Sequence, residues 1–339
     1  MDEQKFFHSV YLDDKLCRGC VNCIKRCPTE AIRVRDGKAH ILAERCIDCG
    51  ECIRVCPHHA KKAGHDPFEM LKDFTYTVAL PAPTLYGQFN HLDDIDIVLT
   101  GLKAIGFDDV FEVSRGAEIH SDLTRQLLGD GKLKKPAISS ACPAVVRLIQ
   151  TRFPELIDNI VDVKSPMEVA AIEARRRFCA ERGVADKDVG CFFITPCAAK
   201  MTAIRNPLGH KTSAVNGAIS FLEVYGVLSE LLRKGNLKPD LAHFSATSFG
   251  VNWARTGGEA LAIGENEALA VDGIDNVIRM LEDIEDGRLP EADFVELRAC
   301  TQGCVGGCFN VENPYAAKLR IKGLLKGLPV SRNRFLFHG

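Results

Sequence analysis

The chain holds 339 residues, 46% of them hydrophobic and 26% charged, which is enough for about two domains with a sizeable core. Its 43 Lys and Arg against 45 Asp and Glu leave a net charge of −2, which argues against a broad nucleic-acid-binding face. With no run of 18 apolar residues and no basic-then-apolar leader, the sequence predicts neither a membrane span nor a secretory signal. Fifteen cysteines in such a chain point to metal or redox chemistry in the cytoplasm rather than to a disulfide scaffold.

Eight of those cysteines come first. Cys17, Cys20, Cys23 and Cys27, followed by Pro28, form C-x2-C-x2-C-x3-C-P, and Cys46, Cys49, Cys52 and Cys56, followed by Pro57, repeat the pattern 29 residues later. This is the spacing of a bacterial two-cluster ferredoxin, in which three thiolates wrap one corner of a cubane and the fourth serves the other cubane. The expected ligand sets are therefore Cys17, Cys20, Cys23 and Cys56 for one [4Fe–4S] cluster, and Cys46, Cys49, Cys52 and Cys27 for the second. Zinc prefers ligands in two separated pairs and fits these quartets poorly. Between the quartets, residues 31–42 alternate around Asp36-Gly37, which predicts a hairpin. Residues 1–66 thus read as an α+β, ferredoxin-like module that ends in the polar stretch 58–70, and residues 67–339 as a second domain.

Beyond it the elements alternate. Strands are expected at 75–80, 109–113, 136–141, 190–195 and 293–299, and helices at 94–106, 115–129, 143–153, 166–182, 220–234 and 272–287. Helix 166–182 carries Ser165 as N-cap, Pro166 in the first turn and Glu168 completing a capping box. The alternation predicts an α/β body with parallel sheets. Three of its strands run into cysteines, namely Cys142, Pro196-Cys197 and Cys300, and the carboxyl ends of parallel strands are where ligands gather. Cys304 follows Cys300 by four residues, with Gly303, Gly306 and Gly307 letting backbone approach a bulky group. These four could converge on a further cluster. Cys179 and Cys191, inside a helix and a strand, read instead as small apolar fillers.

At these residues the sequence resembles the catalytic domain of the [FeFe]-hydrogenases over nearly its whole length. The three signature segments correspond to SSACP (139–143), TPCAAK (195–200) and ELRACTQGCVGG (296–307). The resemblance implies a two-lobed α/β domain with parallel sheets and an H-cluster in the cleft between lobes. That cofactor is a [4Fe–4S] cubane bridged to a di-iron unit with CO, cyanide and azadithiolate ligands. Cys142, Cys197, Cys300 and Cys304 would be its ligands, Cys304 the bridge, and Lys200 a hydrogen-bond donor to a cyanide. The departures are informative. Ala141 stands where catalytic members have a relay cysteine, Thr195 where they have methionine, and Ala203 where a glutamate is usual. Arg115 takes the place of a relay glutamate, Glu118 keeping a later one, and Cys308 replaces a glycine.

Alanine carries no proton, so the resemblance implies an intact electron wire beside an interrupted proton wire. This pattern, with VENPYAAKLRIK at 311–322, is similar to the sensory or regulatory hydrogenases. Those often continue into a PAS or signalling domain, which this chain, ending at Gly339, does not show. The expected function is slow, reversible H2 oxidation and proton reduction used for hydrogen sensing. The expected partners are a redox protein such as ferredoxin or a signalling protein, and the hydrogenase maturation proteins. Two alternatives stand beside it: an iron–sulfur electron-transfer or assembly protein without the di-iron unit, and the catalytic subunit of a larger redox complex.

Overall fold

The computed structural model describes residues 7–239, 246–264 and 267–330; the last residues of the expected second domain, 331–339, lie outside them. The N-terminal module is built from β1 (Val10–Leu12), α1 (Asn22–Lys25), β2 (Ile32–Arg35), β3 (Lys38–Ile41), α2 (Glu51–Arg54) and β4 (Lys61–Ala63). β2 and β3 pair antiparallel around Asp36 and Gly37, both at positive φ, as a two-residue hairpin turn requires. β1 and β4 also pair antiparallel, Val10 opposite Ala63, which closes the module on itself. Each short helix lies within one cysteine quartet.

Among the described residues of the body, seven strands follow: β5 (Tyr76–Pro81), β6 (Asp109–Val110), β7 (Ala137–Ile138), β8 (Val189–Thr195), β9 (Gly217–Ser220), β10 (Ala268–Asp272) and β11 (Phe294–Arg298). They make two parallel sheets, one ordered β6-β5-β8-β9 and the other β10-β11-β7. β8 is buried along its whole length, which is why VGCFFIT is apolar without alternation: helices cover both faces of a parallel sheet. The helices are α3 (Ile95–Ala104), α4 (Val113–Gly129), α5 (Pro143–Arg152), α6 (Pro166–Arg182), α7 (Ala198–Arg205), α8 (Phe221–Lys234), α9 (Ser248–Asn252), α10 (Gly258–Ile263), α11 (Ile274–Glu285) and α12 (Pro314–Leu324). Each sheet has its own apolar core. Val78, Leu80, Phe192 and Ile194 anchor the first; Ile138, Leu148, Val277 and Leu297 anchor the second. Among the described residues, no helix is long and apolar enough to cross a membrane.

Module and body meet through buried polar contacts. The Asp48 carboxylate accepts from the Ser9 and Val10 amides (3.2 and 2.9 Å) and from the Thr202 hydroxyl of α7 (2.6 Å). Asp66 then joins the chain to the first sheet, accepting from the Ala218 amide at 2.8 Å and pairing with Arg205.

Several sequence expectations are corrected. The strand at 109–113 is only Asp109–Val110, because Val113 already opens α4. The strand at 136–141 is only Ala137–Ile138, and the chain leaves the sheet before Cys142. β9 and β10 had no counterpart in the expectations. The capping box does not form: the Glu168 carboxylate is taken by the Ser213 hydroxyl and the Ala214 amide (2.7 Å for the latter), while the Ser165 hydroxyl has no partner. α6 starts where expected all the same, with Pro166 in its first turn.

Candidate metal centre between the two sheets

A Cys23 thiolate would be repelled by Cys20 and Cys56, and a Cys46 thiolate by Cys52 and Cys27. Cys56 thus lies near Cys23 and Cys27 near Cys46, while Cys52 lies near both Cys27 and Cys23. Cys27 and Cys56 sit in matching settings: the Cys27 sulfur accepts from the Ala31 amide at 3.2 Å, the Cys56 sulfur from the Ala60 amide at 3.3 Å. Hydrogen bonds of this kind tune a bound cluster. Burial pushes Cys46, Cys49 and Cys52 up, the last to about 12.

The body gathers four more cysteines. Cys142 is the N-cap of α5 and Cys197 the N-cap of α7, each leaving its strand for the start of a helix. Cys300 follows β11, and Cys304 opens a 3-10 turn after Gly303, which lies at φ 84°. A Cβ on Gly303 would stand 2.7 Å from the Thr256 nitrogen and 2.8 Å from the Ala254 oxygen, so only glycine fits there. One on Gly307 would meet the Pro196 oxygen at 2.4 Å, and its absence lets this loop press onto Pro196-Cys197. Cys197 thus comes from the first sheet, and Cys142, Cys300 and Cys304 from beside the second.

All four line one cavity of about 70 Å³, with Ala141 and Lys200 in the same wall. Its remaining lining is mostly apolar, including Phe193, Met167 and Trp253. Burial pushes Cys300 up to about 12; burial and then the neighbouring cysteines push Cys197 well up, and burial also raises Cys304. Such thiols ionise only if something cationic takes their charge. Burial likewise pulls Lys200 down, against the pull of Cys197 and Cys304. Four soft sulfurs converging on one cavity are the donor set of a thiolate-held iron–sulfur group.

Other singled-out residues lie elsewhere. Cys191 is fully buried in β8, its thiol directed to the Ala171 carbonyl at 3.7 Å, and Cys179 packs on the edge of the first core. Thr195 accepts from the Cys197 amide at 3.1 Å, and Ala203 faces a neighbouring cavity that also reaches Lys200. Arg115 is off the four-cysteine cavity: it lines a separate pocket with Glu112 and Arg177, its guanidinium 3.3 Å from Glu118. From this stretch of α4 it is Val113 and Ala117 that reach the cavity. Cys308 is not in the cavity wall either. It sits against the module, where a Cβ on Gly50 would stand 3.6 Å from its sulfur.

Sequence reasoning missed one feature of the site altogether. Arg298, 2% exposed, reaches the cavity and pairs with two fully buried carboxylates, Glu259 at 2.9 Å and Glu296 at 3.2 Å. The Glu259 carboxylate also accepts from the Ser139 hydroxyl at 2.6 Å and lies 3.3 Å from His120. The Arg298 guanidinium lies 4.3 Å from the Trp253 ring centroid. Burial opposes the charge on Glu259, but Arg298 and His120 hold its carboxyl below the usual range; burial keeps Glu296 raised. The ELR of the third segment was the only trace of this cluster in the sequence.

The model of the iron only hydrogenase large subunit, C-terminal domain, matches residues 75–265 and 259–308, and that of the 4Fe-4S dicluster domain matches 9–57. The chain is 23% identical over 365 residues to iron hydrogenase 1 of Clostridium pasteurianum, covering 86% of this chain and 62% of that protein. It is 23% identical to the NADP-reducing hydrogenase subunit HndD of Solidesulfovibrio fructosivorans, of which it spans 46%. It is 25% identical to the periplasmic [Fe] hydrogenase large subunit of Nitratidesulfovibrio vulgaris, covering 88% of this chain and 86% of that one. Among solved structures, a variant of the [FeFe]-hydrogenase HydA1 from Chlamydomonas reinhardtii superposes with a TM-score of 0.53 at 17% identity, over 77% of this chain and 86% of that one. At that identity the superposition speaks for the fold alone.

Proposed function

The chain belongs to the iron-only hydrogenase large-subunit family, with a 4Fe-4S dicluster domain ahead of the hydrogenase domain, and from that premise we propose that it interconverts H2 with protons and electrons at low turnover, as a hydrogen sensor. The observation that carries this reading is Ala141: buried at 3% exposure in the wall of the four-cysteine cavity, it offers no titratable atom there. Cys142, Cys197, Cys300 and Cys304 would hold the H-cluster, Cys304 as the bridge, and the two module quartets would hold the clusters that pass electrons. When bound, the H-cluster supplies the metal chemistry that splits and forms H2. The chain's own residues do the rest. Lys200 presents an ammonium group from the cavity wall, and the apolar lining excludes water around it. The Ala141 methyl packs on Ala117 and Trp253, so a proton has no side-chain carrier at that point. A positioned acid or base typically contributes on the order of 10²–10⁴-fold to proton transfer.

This reading places the protein in the cytoplasm. Its partners would be the maturation proteins that build the di-iron unit and a ferredoxin or signalling protein that exchanges electrons with the module. The test is anaerobic maturation of the full chain, followed by infrared spectroscopy and hydrogen-evolution assays. Cyanide and CO bands with slow evolution are expected. Three iron–sulfur clusters without those bands would favour the assembly-protein alternative, and fast evolution would favour a catalytic subunit.

A further inference from the structure

The geometry points to Arg54 as a positioning residue for the electron step between the module and the four-cysteine site: its guanidinium joins the second quartet to Cys300 and favours the electron's arrival there. This rests on the cluster assignments of the proposed function. Arg54 is the last residue of α2, directly behind Cys49 and Cys52. One face of its guanidinium holds the module: Nη2 donates to the Cys49 carbonyl at 2.9 Å and to the Glu51 carboxylate at 2.7 Å, and Nε donates to that carboxylate at 3.1 Å. The other face holds the body: Nη1 donates to the Gly306 carbonyl at 3.3 Å and toward the Cys300 sulfur at 3.8 Å.

The contact is built on both sides. Gly50, at φ 77°, leaves room for Cys308, whose Cβ would stand 3.3 Å from a Cβ placed there, and Arg54 Nη1 lies 3.4 Å from the same point. Cys49 packs with Ile47 in the apolar cluster that includes Cys142 and Cys197. The second quartet therefore meets the cavity cysteines through packed protein, with the Arg54 guanidinium reaching from Cys49 to Cys300.

With both groups bound, the step would move one electron and nothing else: the cluster that Cys46, Cys49, Cys52 and Cys27 would hold would be oxidised and the one that Cys142, Cys197, Cys300 and Cys304 would hold would be reduced, with no bond made or broken. A fixed positive charge beside one sulfur of the accepting cluster stabilises its reduced, more negative form. Glu51 tempers that charge, because its carboxylate takes two of the guanidinium's hydrogen bonds and is itself only 12% exposed. The two residues therefore act with opposite sign on the same potential.

The experiment is an anaerobic, EPR-monitored redox titration of the full chain reconstituted with iron and sulfide, comparing native protein with Arg54→Gln, Arg54→Lys and Glu51→Gln. Arg54→Gln is expected to make the Cys300-side cluster harder to reduce by about tenfold in its reduction equilibrium, about 59 mV for one electron. Arg54→Lys should restore most of that difference by restoring the charge, and Glu51→Gln should shift the potential the opposite way. If Arg54→Gln loses clusters, Glu51→Gln still reads the sign. Unchanged potentials with all clusters assembled would overturn the inference, as would shifts of the same sign in Arg54→Gln and Glu51→Gln. Native protein lacking a third cluster signal would instead overturn the proposed function, a different outcome visible before any variant is made.

Discussion

Replacing Arg298 with methionine tests how the buried charge cluster holds the cavity. The substitution keeps the length and apolar stem of the side chain and removes only the guanidinium, breaking the pairs with Glu259 and Glu296 at once. Removing one partner of a buried ion pair costs about 3–5 kcal/mol, and the lost cation–π contact at 4.3 Å adds about 2 kcal/mol where it is desolvated. Methionine packing on Trp253 recovers part of this, so a net loss of about 3–5 kcal/mol is expected, or roughly 10²- to several-thousandfold in local opening. The sign with pH follows from the carboxylates. Glu296 is already raised by burial, and without Arg298 both carboxyls rise above their unfolded value of about 4.3. A raised carboxyl stabilises the fold while protonated and loses that contribution as the pH climbs, so the deficit should grow from acid toward neutral and alkaline pH. Hydrogen–deuterium exchange of peptides spanning 254–263 and 293–299, read at two pH values, measures it. Adding Glu296→Gln should recover a good part of the protection. A deficit independent of pH, or no recovery in the double variant, would mean that Arg298 acts by packing on Trp253 and that the charge argument is wrong.

Ala141→Cys should raise hydrogen evolution by one to two orders of magnitude on samples matched for infrared-quantified cofactor, part of the on the order of 10²–10⁴-fold available to a positioned acid or base. Adding Arg115→Glu should bring no further gain, because Arg115 faces a different pocket and already pairs with Glu118; equal rates in wild type and Ala141→Cys would remove the main support for slow turnover. Cys27→Ser is expected to damage the cluster of the second quartet and Cys56→Ser that of the first, as iron counts and EPR would show; damage confined to the local quartet would reject the crossing. Cys191→Ala should cost about 0.5–1.5 kcal/mol in thermal unfolding and leave the infrared spectrum unchanged, whereas Cys142→Ala should prevent H-cluster assembly.

What could be read from the sequence was what depends on near neighbours in the chain. Asp36-Gly37 turned as expected because both residues tolerate positive φ, and Pro166 marked the start of α6 by its fixed backbone angle. The approach of Cys142, Cys197 and Cys300 was legible through a rule of topology, since parallel strands deliver their carboxyl ends to one edge of each sheet, although the sequence did not show that two sheets would share the site. Glu168 showed the limit of local rules: Ser213 and Ala214, more than forty residues away, out-competed the helix terminus for its carboxylate. The Arg298 cluster was legible only in its Glu296 pair, for the same reason. Its partners are strewn from His120 to Glu296, and only the packing of α4, α10 and β11 makes them neighbours. β7 was overestimated because an apolar run looks alike whether it pairs along its length or only at two residues.

The β1–β4 pair carries a consequence for how such proteins change. With Val10 opposite Ala63, the first and last strands of the module lie side by side, so that some fifty residues between them form a loop closed at its ends. Loops closed at their ends tolerate large changes in length at little cost, and neither parallel sheet takes its geometry from what hangs there. The module is in this sense a plug. A different electron carrier grafted at the same two strands would give the chain a new electron donor without rebuilding the cavity. The contacts of the socket would need matching, among them a carboxylate in the place of Asp48 for Thr202 and a side chain long enough to span from the graft to Gly306.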